Sequence, residues 1–163
     1  MLIIRLLWFV GLVLLQSLVL NNINIYGLFA PAIYIYLILA MNTSVGRKSL
    51  LLWAFFLGLA IDMMCNTPGL NAAATVMIAF FRKAFVRSQT LREISENFNP
   101  GCKSMGFAPY MRYVFFMSLL HGLTIGLLDA FSIANIGLVL LRAVSNALVT
   151  TLCIICIDRM RRS

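Results

Sequence analysis

The residues of this chain that could do chemistry are few, and they sit within or beside apolar sequence. Asp62 closes the run Gly58-Leu59-Ala60-Ile61-Asp62, and Asp129 closes Gly126-Leu127-Leu128-Asp129. Asn135, Arg142, Asn146 and Thr150 follow at spacings of seven, four and four, which lays one polar stripe along a helical face. Arg142 is the costliest of them. It lies six residues into the last apolar run, about 9 Å along a helix, and an arginine at mid-span costs about 2.5–3.5 kcal/mol on insertion scales. The stripe is therefore expected to look into a helical bundle, with Arg142 met by Asp62 or Asp129 and with His121, two turns before Asp129, close by. A structural ion pair clamping helices is favoured over a substrate or proton site.

Other chemistries lack their parts. The chain has no G-x-S-x-G, no H-E-x-x-H, no phosphate-binding glycine loop and no paired carboxylates within one apolar run, so an enzyme is not expected. His121 is the single histidine; a packing role is expected, with neither metal nor cofactor. Cys153-x-x-Cys156 lies within the last apolar run without a second ligand pair, while Cys65 and Cys102 fall on opposite sides of the chain's alternating loops; ordinary packing and no disulfide are expected. Gly122 with Gly126, and Ala54 with Gly58, form small-x-x-x-small pairs, which allow helices to approach closely, within the chain or toward a partner.

The elements that must position these residues follow from composition. Hydrophobic residues make up 62% of the 163 and charged ones 11%, whereas a soluble domain runs about 45–50% apolar and about 25% charged. An all-α, polytopic membrane protein is expected, a single domain over residues 1–163, because a span takes about 20 apolar residues. Six apolar runs mark the spans: Leu2 to Leu20, Leu28 to Met41, Leu50 to Met64, Ala72 to Val86, Pro109 to Ala130 and Ile136 to Ile157. The first run has no small-x-small site after it and reads as a retained span, not a cleaved signal. The segment 87–108 reads as a cytoplasmic loop or short helix: Leu91, Glu93, Ile94 and Glu96 stand at helical spacing, and Asn99-Pro100-Gly101 ends it.

The basic residues alternate with these runs. The gaps Asn21 to Gly27, Cys65 to Asn71 and Phe131 to Gly137 carry none, whereas Arg47, Lys48, Arg82, Lys83, Arg87, Arg92, Lys103, Arg159, Arg161 and Arg162 fill the others. Basic residues near a span resist translocation, so both termini are expected in the cytoplasm. The net charge of +8 is spread beside spans and suits anionic lipid headgroups, not nucleic acid.

The order of Gly58-Leu59-x-x-Asp62, the turn Asn66-Thr67-Pro68-Gly69-Leu70, an alanine-rich run ending in Phe81-Arg82-Lys83, Asp129-Ala130-Phe131-Ser132, and Leu141-Arg142 followed by Ser145 resembles the bacterial rod shape-determining MreD family over nearly the whole chain. Asp129 is a departure, since related chains often carry glutamate there. The resemblance implies a six-helix bundle like the substrate-binding component of energy-coupling-factor transporters, in the bacterial inner membrane. It also implies a non-enzymatic scaffold of the cell-elongation machinery that helps to maintain rod shape and organise peptidoglycan synthesis. Its implied partners are an MreC-type bitopic protein, the MreB filament and the elongation transpeptidase/glycosyltransferase complex. Two alternatives stay open: a substrate-binding subunit of an energy-coupling-factor vitamin transporter, and a small carrier of lipid or wall precursor.

Overall fold

The computed structural model describes residues 2–19, 31–90, 97–130 and 136–162, and among these every regular element is helical. The chain runs through α1 (Leu2–Leu14), a π-helical turn (Leu15–Val19), a 3-10 turn (Ile33–Ile35), α2 (Tyr36–Leu39), α3 (Arg47–Cys65), α4 (Leu70–Gln89), α5 (Cys102–Met105), α6 (Phe107–Ala130) and α7 (Ile136–Arg162). Three of these, α3, α6 and α7, are long and apolar enough to cross a membrane, and the molecule has the character of a membrane protein. α4 has 20 residues but includes Arg82, Lys83 and Arg87, and α1 with its π-turn forms a shorter apolar helix. The predicted helix around Leu91 to Glu96 lies outside the described residues.

The second apolar run departs from expectation. From Pro31 onward it is a broken element: a 3-10 turn, four residues of α-helix and a turn at Ala40 and Met41. Every residue from Ile33 to Met41 is buried. Seven helical residues rise only about 11–12 Å, so the described part of this run is a core element, walled by the longer helices.

Two antiparallel hairpins form that wall. α3 turns into α4 through Asn66, which takes the left-handed conformation at φ 55°, and Gly69 at φ 85°, the geometry that lets a helix stop and reverse. Gly58 sits where the hairpin closes. A β-carbon there would lie 2.6 Å from both the amide nitrogen of Ala72 and the carbonyl oxygen of Asn71, so only glycine admits the approach. In the second hairpin Gly126 faces Val139 and Gly122 faces Ala143. α4 and α6 join the hairpins, with the Phe85 and Phe116 rings 6.3 Å apart.

These directions bring the start of α3, the end of α4, the start of α6 and the end of α7 to one end of the bundle. Arginines lie over aromatic rings there: Arg47 over Phe80 at 4.3 Å, Arg159 over Phe107 at 5.6 Å and Arg161 over Trp8 at 5.2 Å. Such pairs hold a cation beside an apolar face without stripping its water.

Candidate functional site

The buried polar residues gather in two centres on either side of the 31–41 segment. At the α3–α4 turn, Asp62 is 3% exposed and accepts four hydrogen bonds. Its Oδ1 takes the Thr67 hydroxyl, the Asn71 amide N–H and the Asn71 side-chain amide, each at 3.0 Å, and its Oδ2 takes the Ala72 amide N–H at 2.9 Å. The Asn71 and Ala72 amides belong to the first turn of α4, where backbone N–H groups have no helical partner. Asp62 thus caps α4 from the neighbouring helix, and its negative charge faces the positive end of the α4 dipole.

The network continues inward. The Tyr34 hydroxyl donates to Asn71 Oδ1 at 2.9 Å and lies 2.7 Å from His121 Nε2, with the tyrosine and imidazole rings edge to face at 5.5 Å. Asp62, Asn71, Tyr34 and His121 therefore form one buried chain from α3 through α4 and the broken segment to α6. Directions along it are fixed by what each group can donate. A carboxylate only accepts, so the Asn71 amide gives both hydrogens, one to Asp62 and one to Thr67 at 3.0 Å. Asn71 Oδ1 then receives the Tyr34 proton, and His121 must donate from Nε2.

The second centre holds the other face. Tyr36 donates to Asp158 at 3.1 Å, Asp158 also receives the Cys102 amide at 2.9 Å, and Arg161 donates to the Tyr36 hydroxyl at 3.3 Å. Asp158 is fully buried. The loop 97–101 is tied down beside it by reciprocal bonds between Thr43 and Phe98, whose backbone groups and the threonine hydroxyl pair at 2.9–3.0 Å.

The backbone of the broken segment is held by side chains at both ends. Gln16 reads it like a neighbouring strand, its Nε2 donating to the Pro31 carbonyl at 2.9 Å and its Oε1 accepting the Ile33 amide at 3.0 Å. Thr150 accepts the Ala32 amide at 3.0 Å. At the other end Arg82 reaches the carbonyls of Leu39 and Met41, and the Tyr113 hydroxyl donates to Leu39 at 3.3 Å. A cation at the carbonyl end of a short helix also complements its dipole. Irregular backbone at membrane depth survives only where protein satisfies it, and these four side chains do so.

The expected clamp is corrected. Asp62 and His121 are brought into one network, but Arg142 and Asp129 are exposed, and no ion pair links Arg142 to either acid among the described residues. Asn146 is half-buried and Thr150 buried; Asn135 lies outside the described residues. The physical reason is angular drift: four residues overshoot a helical turn by about 40°, so Arg142 and Thr150 stand about 80° apart. From Arg142 to Thr150 the polar row slants from the outside of the bundle to its inside. The small-residue pairs are also accounted for. Ala54 is fully buried, and Gly58, Gly122 and Gly126 close the chain's own hairpins, so a foreign helix would have to meet another face.

Three residues that build the site were not singled out in the sequence. Gln16 stands inside the first apolar run. Arg82 was counted with its neighbour Lys83 as a loop cation, although Arg82 is 3% exposed and Lys83 is on the surface. Asp158 is the lone acid among Arg159, Arg161 and Arg162, and that isolation is the signal that could have found it.

Fold and site together define an all-helical bundle of membrane-protein character whose buried polar groups hold its own backbone. Comparison of the chain with family models, with curated proteins and with solved structures finds no match.

Proposed function

We propose that the chain is a non-enzymatic scaffold of the bacterial cell-elongation machinery, of the MreD class. In this reading it crosses the inner membrane six times, with both termini in the cytoplasm, and works by binding an MreC-type bitopic protein. The MreB filament and the wall-synthesis complex are further partners, and the basic end meets anionic lipids.

The observation that carries the reading is the use to which the buried polar residues are put. Gln16, Arg82, Tyr113 and Thr150 are each bonded to the chain's own backbone, and Asp62 caps the chain's own helix. A carrier built on a broken helix keeps such backbone ends for its cargo; here side chains occupy them, which suits a fixed body better than a transporter. The motif behind the resemblance also makes physical sense as one joint, because Gly58, Asp62, Asn66 and Gly69 together close the α3–α4 turn.

The six-pass reading is supported by direction. α1 runs opposite to α7, since Trp8 lies under Arg161 while Gln16, further along, and Thr150, earlier in α7, meet the same backbone at Pro31 to Ile33. The broken segment runs from Tyr34 beside Asn71 to Met41 beside Arg82, parallel to α4 and opposite to α3. These alternating directions support the six-pass reading, in which the arginine-rich end is the cytoplasmic one by the positive-inside rule. The likeness to the substrate-binding component of energy-coupling-factor transporters is an analogy of fold and transfers no activity.

Co-purification tests the reading. Extracted from membranes with a co-expressed MreC-type protein, the chain is expected to be recovered in a stoichiometric complex. Recovery alone, carrying a tightly bound vitamin, would overturn the scaffold in favour of a transporter subunit.

A further inference from the structure

The amino-terminal half of α7 meets α6 along a single line. Val139 and Ala143 lie against Gly126 and Gly122, and Ala147 continues the line, fully buried. On the other side Leu138, Leu141, Leu148 and Leu152 are exposed by 43, 55, 53 and 67%. With the half-buried Ser145 between them, they stand at alternating steps of three and four residues. That is the spacing of a seam whose knobs enter the holes of a second helix packed at a shallow angle. The seam runs over fifteen residues, Leu138 to Leu152, about 21 Å, and the small serine at its centre allows a close backbone approach and offers a hydroxyl. Arg142 is exposed beside it, at the flanking position where charges pair across two such helices.

We propose that this face of α7 is the docking site for a single membrane-spanning helix of a different protein, one that carries an aspartate or glutamate level with Arg142. The proposal rests on the scaffold reading and names the surface on which its bitopic partner sits. Charge complementarity selects the occupant. A second copy inserted in the same direction and related by a twofold axis through this seam would set Arg142 against Arg142 at equal depth, a like-charge contact that disfavours the pairing. Lipid tails cover leucines in any order, and a headgroup phosphate meets Arg142 only if the guanidinium snorkels along about 9 Å of helix away from the seam. An acidic helix supplies both the knobs and the counter-charge, and a forked guanidinium–carboxylate pair fixes its depth and register. The chain from Asp62 through Asn71 and Tyr34 to His121, and the cluster of Tyr36, Asp158 and Arg161, are bonded within the molecule and call for no such partner.

The test combines cross-linking with charge exchange. The full chain is co-expressed with an MreC-type bitopic protein, and a photo-reactive side chain is placed at Leu141 or Leu148, or, as a control, at the exposed Leu52 or Phe56 of α3. Cross-links to the bitopic span are expected from α7 and not from α3. Arg142→Glu is expected to lower recovery of the partner at least about tenfold, as loss of a desolvated charge pair does, and replacement of the partner's carboxylate by lysine should restore it. Cross-links from α3 only, or unchanged recovery with Arg142→Glu, would overturn the site while leaving the scaffold intact. Copy-to-copy or lipid-only cross-links from α7 would overturn it as well. A second measurement keeps the site testable if no bitopic protein co-purifies and the scaffold reading fails. In vesicles, a synthetic leucine–alanine helix with one glutamate level with Arg142 should associate with the chain more tightly than the same helix with lysine, and equal association would sink the proposal. Because Arg142 is exposed, its variants should elute and melt as the parent does.

Discussion

Asp62 and Ala72, ten residues apart and on different helices, are joined by a 2.9 Å bond from the Ala72 amide to the Asp62 carboxylate. The contact makes the α3–α4 turn a closed joint: the carboxylate receives the unpaired N–H groups of α4, and the Thr67 hydroxyl fills the gap between the helices. Asp62 lies one helical turn from Gly58, whose missing side chain lets the α3 backbone meet that of Asn71 and Ala72.

Asp62→Ala is expected to destabilise the protein by about 2–4 kcal/mol, since it strands buried N–H groups that cost about 1–3 kcal/mol each and removes a cap worth about 1 kcal/mol. Asp62→Asn should fare little better, because its amide group would turn donors toward donors. Thr67→Val, which removes one neutral bond, should cost about 1 kcal/mol. Thermal unfolding in detergent measures all three, and an Asn variant as stable as the parent would show that the carboxylate is not the cap.

Gly58→Ala should cost about 1–3 kcal/mol or more through overpacking, because the new β-carbon meets backbone atoms of Asn71 and Ala72 that cannot rotate away. Gly126→Ala meets only a methyl of Val139, at 2.6 Å, and a side chain can yield, so a smaller loss is expected. Gly11→Ala meets nothing within 4 Å and should stabilise α1 by about 0.5–1 kcal/mol through helix propensity. The ranking, read from melting temperatures, is the test; equal effects at positions 58 and 11 would contradict the packing described.

The sequence was legible where polarity and spacing act locally. The α3, α6 and α7 helices follow from apolar runs, and the α3–α4 turn follows from glycine, proline and asparagine. What was not legible depended on who stands opposite whom. Periodicity places Arg142 and Thr150 on one row, but only the packed bundle reveals that the row slants from lipid to core. Arg82 and Lys83 look alike in a charge count, yet one helical step separates a buried backbone cap from a surface cation. The second apolar run was readable as apolar, and its break after Pro31 became visible only through Gln16, Thr150 and Arg82, which come from three other elements.

Arg82→Met should strand the carbonyls that close α2, at about 1–3 kcal/mol, and loosen the turn at residues 40–46. Arg82→Lys keeps the charge but loses the planar fork that reaches two carbonyls, so an intermediate effect is expected. Hydrogen exchange at Leu50 and Val45, whose amides bond to Gly46 and Asn42, reports the loosening. A turn equally protected in both variants would mean that Tyr113 alone suffices.

His121 should be protonated on Nε2 and bare on Nδ1, a consequence of Asp62 two partners away. The carboxylate accepts only, so Asn71 presents its carbonyl oxygen to Tyr34; Tyr34 gives its one proton to that oxygen, and the histidine must donate to the tyrosine. Nitrogen-15 NMR of the single imidazole distinguishes the tautomers directly. Asn71→Leu combined with Thr75→Val removes the other hydroxyl and amide acceptors beside the tyrosine without touching the histidine, so Tyr34 should turn its proton to Nε2 and drive the imidazole hydrogen to Nδ1. If the parent carries its proton on Nδ1, or if the double variant leaves the tautomer unchanged, the direction of the chain from Asp62 to His121 is wrong.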